Sequence, residues 1–165
     1  MKKLILINGT MGAGKTTVSI ELQKLLTPCV FLDGDWCWSM NPFTVNDETK
    51  RMVLNNISFM LNSFIGCSEY EYIIFCWVMH RQDIIDSILG RLDLCGVETH
   101  IFTLTLAEAA LTKRLREDIS LGIRKPDVLE RSIARIGMYD EMDTIKIDVS
   151  DITPAKAAGK IISYL

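Results

Sequence analysis

Short apolar runs alternate with helix-like periodicities along the whole chain. The apolar runs predict buried strands at Leu4–Ile7, Cys29–Leu32, Tyr72–Val78, Val97–Leu104 and Thr144–Val149. The segments between them predict helices at Thr16–Leu26, Asn46–Phe64, Arg81–Leu94, Leu106–Leu121 and Pro126–Met138, with a last helix after Thr153. This alternation is typical of an α/β fold, a five-stranded parallel sheet flanked by helices in three layers. A single domain is expected over residues 1–165.

Composition and charge narrow the class of protein. Hydrophobic residues make up 48% of the 165 residues and the formal net charge is −3, which favours a folded core over a nucleic-acid surface. The five cysteines show no spacing that would predict a disulfide framework or a zinc site. No apolar segment is long enough to span a bilayer. We therefore expect a cytoplasmic protein without nucleic-acid or membrane partners, present either as a monomer or as a homodimer.

A phosphate-binding sequence lies between the first strand and the first helix. Gly9–Thr16 fills the pattern G-x-x-x-x-G-K-[ST], in which glycines let backbone N–H groups surround an anion. The N-terminus of the following helix adds partial positive charge. Lys15 can reach the β- and γ-phosphates of a nucleotide, and the Thr16 hydroxyl can ligate Mg²⁺. The predicted nucleotide contacts are Gly9, Thr10, Met11, Gly12, Ala13, Gly14, Lys15, Thr16 and Thr17. The alternative is a glycine-rich turn that binds nothing.

Two carboxylates follow the second strand, at Asp33 and Asp35 with Gly34 between them. Ligands of open parallel sheets bind beyond the carboxyl ends of the strands, so these acids are expected beside the phosphate loop. One would serve Mg²⁺ and the other would take the proton from an attacking hydroxyl, and either assignment fits the sequence. The third strand, Tyr72–Val78, ends without an acidic residue, which leaves Asp33 and Asp35 as the nearest candidates. The alternative is a plain Asp-Gly turn.

The phosphate loop, the Asp33-Gly34-Asp35 sequence and a later arginine-rich segment together resemble small-molecule kinases of the P-loop class. Relatives of this kind are shikimate kinase, gluconate kinase, nucleoside monophosphate kinases and chloramphenicol phosphotransferase, and the chain also resembles tunicamycin-resistance-type and uncharacterised nucleotide-kinase-like proteins. The resemblance implies a P-loop NTPase fold and transfer of a phosphoryl group from ATP, assisted by Mg²⁺, to a small hydroxylated or phosphorylated molecule. It assigns catalysis to Lys15, Asp33, Asp35 and Arg124, and metal binding to Thr16 and Asp33.

The same resemblance implies a short lid at about residues 114–128, whose arginines reach the transferring phosphoryl group. Arg124 matches the lid arginine, and Arg114 or Arg116 is expected near the adenine or the phosphates. Val149 belongs to the loop after the last strand, which wraps the adenine in these kinases. The alternative for each arginine is a solvated helix face with charge pairs one turn apart.

The acceptor side is marked by aromatic and basic residues. Trp36 and Trp38 follow the acidic pair and could stack on a ring of the acceptor, although they share a face only if the segment is extended. Arg51, His80 and Arg81 could bind a carboxylate or phosphate of the acceptor. The alternatives are a core role for the tryptophans and capping or surface roles for the basic residues.

The motifs favour a kinase over two other functions. The competing hypotheses are a nucleotide-binding module with a resistance or regulatory role, and a slow ATPase without a small-molecule acceptor. A switch ATPase is expected to carry an acidic residue at the end of the third strand, where this chain has none. The acidic pair and the lid-like arginines therefore favour phosphoryl transfer.

Overall fold

The computed structural model describes residues 1–165 and contains one sheet of five parallel strands. The strands are β1 (Lys2–Gly9), β2 (Cys29–Asp33), β3 (Tyr72–Cys76), β4 (Val97–Thr105) and β5 (Ile145–Asp148). Their order in the sheet is β2-β3-β1-β4-β5, and all pairs are parallel. The predicted α/β class and the five-stranded parallel sheet are thereby confirmed.

Six α-helices cover the two faces of the sheet. They are α1 (Lys15–Leu25), α2 (Asp47–Gly66), α3 (Gln82–Leu89), α4 (Glu108–Ser120), α5 (Val128–Ile133) and α6 (Pro154–Ile162). Two 3₁₀ turns, at Gly34–Trp38 and Ile136–Tyr139, supplement them. None of the helices has the combination of length and hydropathy that crossing a bilayer requires.

The sheet separates two apolar cores, and β1 contributes to both. Ile5 and Ile7 pack with residues of α1, α4 and α6, whereas Leu4 and Leu6 pack with residues of α2 and α3. Successive side chains of a strand point to opposite faces, so a central strand covered on both sides has apolar residues at every position. This is why the strand reads as an unbroken apolar run.

The predicted helix Pro126–Met138 is wrong in its extent. The structure has the short α5 followed by the 3₁₀ turn Ile136–Tyr139, and the backbone bonds between them span three residues, as from Arg135 N–H to Ser132 O at 3.2 Å. The Thr10 hydroxyl donates to the same Ser132 carbonyl at 3.0 Å. A side-chain donor that occupies a helix carbonyl competes with the continuing helical ladder. The predicted helix Arg81–Leu94 is also too long, since α3 ends at Leu89 before Gly90.

The strand order determines which chain segments meet at the carboxyl edge. Cys76 at the end of β3 is in register with both Ile7 of β1 and Asp33 of β2. The loop after β1 and the turn after β2 therefore emerge on either side of the segment that follows β3. All three segments contribute to the candidate site.

Candidate active site

The loop Gly9–Gly14 fits its position because two of its glycines leave room for neighbouring elements. Gly9 has φ 144° and a Cβ there would lie 2.8 Å from the carbonyl oxygen of Leu104 in β4. Gly12 has φ 85° and a Cβ there would lie 2.6 Å from a methyl carbon of Leu115 in α4. Both φ values lie in the region that side chains disfavour, so conformation and packing both require glycine. The loop is consequently held against β4 and α4.

Lys15 and Thr10 are bonded within the loop. The Lys15 ammonium donates to the carbonyl of Thr10 at 3.0 Å, and the buried Thr10 hydroxyl donates to Ser132 of α5. Burial lowers the pKa of Lys15, while the nearby carboxylates of Asp35 and Asp33 act in the opposite direction. The ammonium therefore lies between the loop backbone and two acidic side chains. The Thr10 side chain faces α5, so only its backbone remains for an anion in the loop.

Asp33 is 5% exposed and both of its oxygens are engaged. Its Oδ2 accepts a hydrogen bond from the Thr16 hydroxyl at 2.6 Å, and its Oδ1 accepts from the Asp35 backbone N–H at 3.0 Å. The second bond caps the 3₁₀ turn that begins at Gly34. Asp33 thus joins the end of β2 to the start of α1 and fixes the turn that carries Asp35.

Asp35 differs from Asp33 in exposure and in its surroundings. Its side chain is exposed at a small cavity, and partial burial together with the carboxylate of Asp33 raises its pKa. Lys15, the Trp77 side chain and Arg124 act in the opposite direction. Asp35 therefore holds a proton more readily than an isolated aspartate and remains accessible to a ligand.

Asp35 lines a central cavity of about 110 Å³. The cavity lies where the phosphate loop, the acidic turn, the segment after β3 and the lid meet. Its lining residues are Met11, Gly12, Gly14, Lys15, Thr16, Thr17, Asp33, Asp35, Val78 and Arg124. The residues for which the sequence predicts catalysis, Lys15, Asp33, Asp35 and Arg124, therefore lie together. No cluster of three His, Cys, Asp or Glu side chains that could hold a metal ion is present.

A larger lid cleft of about 330 Å³ continues from the central cavity. The two share Gly12 and Gly14 of the loop, Thr17 of α1, and Arg124. The side chain of Arg124 forms an ion pair with Asp118 at 2.9 Å. The remaining lining residues are Ala13, Val18, Arg114, Glu117, Asp118, Val149, Ile152, Pro154 and Ala157. The cleft thus joins the phosphate loop to apolar residues near β5 and α6, where a planar base can pack.

Arg114 and Arg116, which the sequence leaves as alternatives, lie in different places. Arg114 donates to the carbonyls of Ala13 at 3.3 Å and of Val149, and so ties the phosphate loop to the loop after β5. Arg116 instead lines an open groove on α4 together with Lys113. Residues two apart on an α-helix point about 200° apart, so one helix cannot direct both side chains into the cleft. The expectation of a site role is therefore corrected for Arg116.

An aromatic cavity of about 330 Å³ adjoins the central cavity. Val78 lines both. The other lining residues are Trp38, Lys50, Leu54, Trp77, His80, Asp83, Ile84 and Ser87. Trp77 approaches so closely to Gly34 that a Cβ at Gly34 would lie 2.5 Å from the Trp77 Cγ. The glycine of the acidic turn is therefore required by the packing of Trp77.

Three residues expected on the acceptor side lie outside the aromatic cavity. Trp36 is 58% exposed and packs edge-on against Phe31, with ring centroids 5.4 Å apart. The Gly34–Trp38 segment forms a 3₁₀ turn rather than an extended strand, so its two tryptophans diverge. Arg81 is bonded to Asp83 at the surface, with the Nε–Oδ1 distance at 2.9 Å. Arg51 is exposed on α2, where the preceding residue lines the cavity in its place.

Sequence reasoning missed seven of the nine residues that line the aromatic cavity, namely Lys50, Leu54, Trp77, Val78, Asp83, Ile84 and Ser87. Trp77 and Val78 were assigned to the third strand, which ends at Cys76 in the structure. A signal for them was available, because residues directly after a parallel strand lie at the ligand edge of the sheet. Lys50 carries no comparable signal, since its position depends on how α2 packs.

Comparisons with known proteins identify the family and the fold of this chain. The family model of the AAA domain matches residues 5–132. The tunicamycin resistance protein of Deinococcus radiodurans superposes with a TM-score of 0.72 at 18% identity, covering 99% of this chain and 95% of that one. A gluconokinase from Sinorhizobium meliloti 1021 gives 0.71 at 17% identity, covering 98% and 90% of the two chains. A sugar kinase from Janibacter sp. HTCC2649 gives 0.68 at 13% identity, covering 99% and 94%.

No curated protein sequence matches this chain significantly. At such low identities the structural likenesses show a common fold and leave the reaction of this chain open. The family model covers most of the chain, from β1 to α5, and it includes the phosphate loop and the acidic turn. The chain therefore belongs to the AAA-domain family of P-loop proteins, and it has the fold of the P-loop small-molecule kinases.

Proposed function

We propose that this protein transfers the terminal phosphoryl group of ATP, with the assistance of Mg²⁺, to a hydroxyl group of a small molecule. One observation carries the proposal: the central cavity, with Lys15, Asp35 and Arg124, shares lining residues with the lid cleft and, through Val78, with the aromatic cavity. A nucleotide in the lid cleft and an acceptor in the aromatic cavity would meet there. Protein positioning and charge neutralisation account for most of the catalysis of such transfers.

On the nucleotide side, the loop backbone and two cations bind the phosphates, and the lid cleft binds the base. The backbone of Gly9–Gly14 and the N-terminus of α1 bind the phosphates, and the base lies in the lid cleft near Val149. The Lys15 ammonium would exchange its bond to the Thr10 carbonyl for phosphate oxygens. Arg124 would exchange its partner Asp118 for the transferring group, and both cations neutralise charge that develops during transfer.

The residues at the start of α1 fit a magnesium ion. The hydroxyl of Thr16 and the carboxylate of Asp33, 2.6 Å apart, are hard oxygen ligands of the kind that Mg²⁺ prefers. An ion held there would neutralise charge on the phosphates. Because only these two protein groups converge, the phosphate oxygens and water would supply the other ligands. Asp33 is therefore assigned to the metal, either directly or through water.

Asp35 is then left as the proton acceptor. Its exposed carboxylate lines the central cavity, whereas both oxygens of Asp33 are already bonded. The acceptor oxygen forms a bond to the terminal phosphorus as the bond to the ADP oxygen breaks, and the hydroxyl proton passes to Asp35. The raised pKa of Asp35 makes it a better proton acceptor than an ordinary aspartate. The sequence left the two aspartates interchangeable, and we propose this assignment.

The proposal is tested with ATP, Mg²⁺ and the Lys15→Ala variant. We expect isothermal titration of a non-hydrolysable ATP analogue to show that Lys15→Ala binds it at least about 100-fold more weakly than the parent does, because the variant removes a half-buried cation that would pair with the phosphates. Lys24→Ala is the matched control, since this lysine is exposed on the same helix and pairs only with Glu21. Equal affinities of Lys15→Ala and the parent would contradict the proposal.

Transfer is separated from simple hydrolysis by the dependence of ADP release on the acceptor. A kinase releases ADP faster when its acceptor is added, and the phosphorylated acceptor accumulates in equal amount. ATP binding with slow, acceptor-independent hydrolysis would instead favour the competing hypothesis of a nucleotide-binding module or ATPase with a resistance or regulatory role. The aromatic cavity, which shares Val78 with the cavity that Asp35 lines, favours the kinase, because it offers a place for an acceptor.

A further inference from the structure

The aromatic cavity has walls that suit an apolar ring. Trp38 comes from the 3₁₀ turn, Leu54 from α2, Ile84 from α3, and Trp77 and Val78 from the segment after β3. Five of the nine lining residues are apolar. Indole side chains bind planar groups by offset or edge-to-face contact, and each offers a single N–H donor.

The lining of the same cavity carries one positive and one negative side chain, Lys50 and Asp83. Lys50 is the only cationic residue of the lining, and it is exposed and lies 3.6 Å from the carboxylate of Asp47. Asp83 contributes a carboxylate to the lining, partly neutralised by Arg81 at the surface. Recognition of a carboxylate or phosphate commonly relies on the planar fork of arginine, and no arginine lines this cavity.

His80 adds a neutral polar group. It lines the cavity, and its buried Nδ1 has no hydrogen-bond partner within the protein. Burial, and then the charges of Arg135 and Arg81, lower the pKa of His80, so the imidazole is uncharged at neutral pH. A buried polar atom without a partner is uncommon, and a hydroxyl or carbonyl of a ligand would satisfy it.

From these walls and charges we infer that the acceptor is an uncharged alcohol that carries an aromatic or other planar apolar ring, rather than a sugar acid, a polyol or a nucleoside monophosphate. The ring lies between Trp38 and Trp77, and the hydroxyl points past Val78 towards Asp35. This inference rests on the proposed function, and it narrows the substrate class of the same site.

Intrinsic fluorescence provides a direct test of this preference. The chain contains three tryptophans, and Trp36→Phe leaves only Trp38 and Trp77, both in the aromatic cavity. Benzyl alcohol and 2-phenylethanol represent the inferred class, and glucose, gluconate and cytidine monophosphate represent the excluded ones. With a non-hydrolysable ATP analogue present, we expect saturable quenching by the two aryl alcohols at concentrations about ten-fold lower than any effect of the other three.

A substitution then checks that the quenching arises in the cavity. Trp38→Ala is expected to weaken aryl-alcohol binding about ten-fold, because it removes one face of the ring site. Phe59→Ala is the control, since Phe59 is an exposed aromatic residue on α2 that does not line the cavity. Thermal unfolding identifies a Trp38→Ala variant that is merely unfolded, and the ligand comparison on the Trp36→Phe protein does not depend on it.

The outcomes separate this inference from the proposed function. Tighter or equal binding of glucose, gluconate or cytidine monophosphate, or the lack of saturable quenching by either aryl alcohol, would overturn the inferred ligand class. Phosphoryl transfer to gluconate but not to the aryl alcohols would leave the kinase proposal standing and reject the inference. Binding of the aryl alcohols without transfer to them or to any other alcohol would count against the kinase proposal and support the ring preference of the cavity.

Discussion

The nucleotide side and the acceptor side of the site are built in different ways. On the nucleotide side, one continuous segment, Gly9–Thr16, contributes to both the lid cleft and the central cavity, and glycine geometry fixes its backbone against β4 and α4. On the acceptor side, the lining side chains come from four separate elements that approach one another only in the folded chain. A local backbone device can be recognised in a sequence, whereas a cavity assembled from distant side chains depends on the packing of the whole domain.

The largest expected effect arises where the two sides meet. Asp35→Asn keeps the shape of the side chain but cannot accept the proton of an acceptor hydroxyl, so we expect kcat to fall by about 10²–10⁴-fold. Asp33 and Thr16 keep their mutual hydrogen bond, so the affinity for ATP should change little. Steady-state kinetics and titration of an ATP analogue measure the two quantities. An unchanged kcat in Asp35→Asn would show that Asp35 does not accept the proton.

Gly34→Ala tests whether the acceptor side can be changed alone. The added Cβ would lie 2.5 Å from the Trp77 Cγ, so Trp77 must move and the aromatic cavity changes shape. We expect the KM for the acceptor to rise about ten-fold and the unfolding free energy to fall by about 1–3 kcal/mol, as in other overpacked sites. ATP affinity should remain the same. Gly159→Ala is the control, because it lies on α6 with nothing within 4 Å of the added Cβ. It should leave the KM for the acceptor and the affinity for ATP unchanged.

Arg114→Ala and Arg116→Ala form a matched pair on α4. Arg114 bonds the carbonyls of Ala13 and Val149, so its loss should weaken ATP binding about ten-fold, the effect of losing hydrogen bonds to a charged group. Arg116 lines only the outer groove of α4, so its loss should have no effect on ATP binding. Titration of an ATP analogue distinguishes them. Equal weakening by both would mean that a general positive field, rather than the bonds of Arg114, determines affinity.

The smallest expected effect concerns stability. Because the pKa of Asp35 is raised in the folded state, the folded protein binds this proton more tightly than the unfolded chain does. The resulting stabilisation is present at low pH and is lost as pH rises through the folded-state pKa, so at neutral pH the charged carboxylate lowers stability.

Asp35→Asn should therefore raise the melting temperature at pH 7, by no more than about 2 °C since solvent screens this exposed group. The difference between variant and parent should vanish well below the ordinary aspartate pKa of about 3.9. Calorimetry at pH 7 and at this low pH measures the difference in melting temperature between variant and parent. A variant that melts below the parent at pH 7 would show that Asp35 is stabilised, not strained, by its surroundings.

The features that the sequence predicted correctly depend on interactions that are local in the chain or on the order of the strands. The apolar run of β1 identifies a strand covered on both faces, and the spacing Gly9–Thr16 requires a loop that turns its N–H groups inward. Asp33 ends β2, so its position beside Thr16 follows from the parallel sheet. These features involve neighbours in the chain or a single strand order.

The misplaced residues depend on a turn or on packing that the apolar pattern alone does not determine. Trp36 and Trp38 would share a face in an extended chain, but the hydrogen bond from the Asp35 N–H to Asp33 starts a 3₁₀ turn that separates them. Helix α5 ends early beside the Ser132 carbonyl, which Thr10 bonds from 122 positions away. The phase of α4 that turns Arg114 inwards and Arg116 outwards is set by the burial of Leu111 and Leu115.

The contact between the aromatic cavity and the phosphate-binding machinery through Val78 has an evolutionary consequence. Replacements at Trp38, Leu54 or Ile84 alter the shape offered to an acceptor without touching any hydrogen bond of the loop Gly9–Thr16. A duplicated gene can therefore acquire a new acceptor by drift in these walls while selection preserves its use of ATP. Divergence in a lineage built on this scaffold is expected to accumulate first in the aromatic walls.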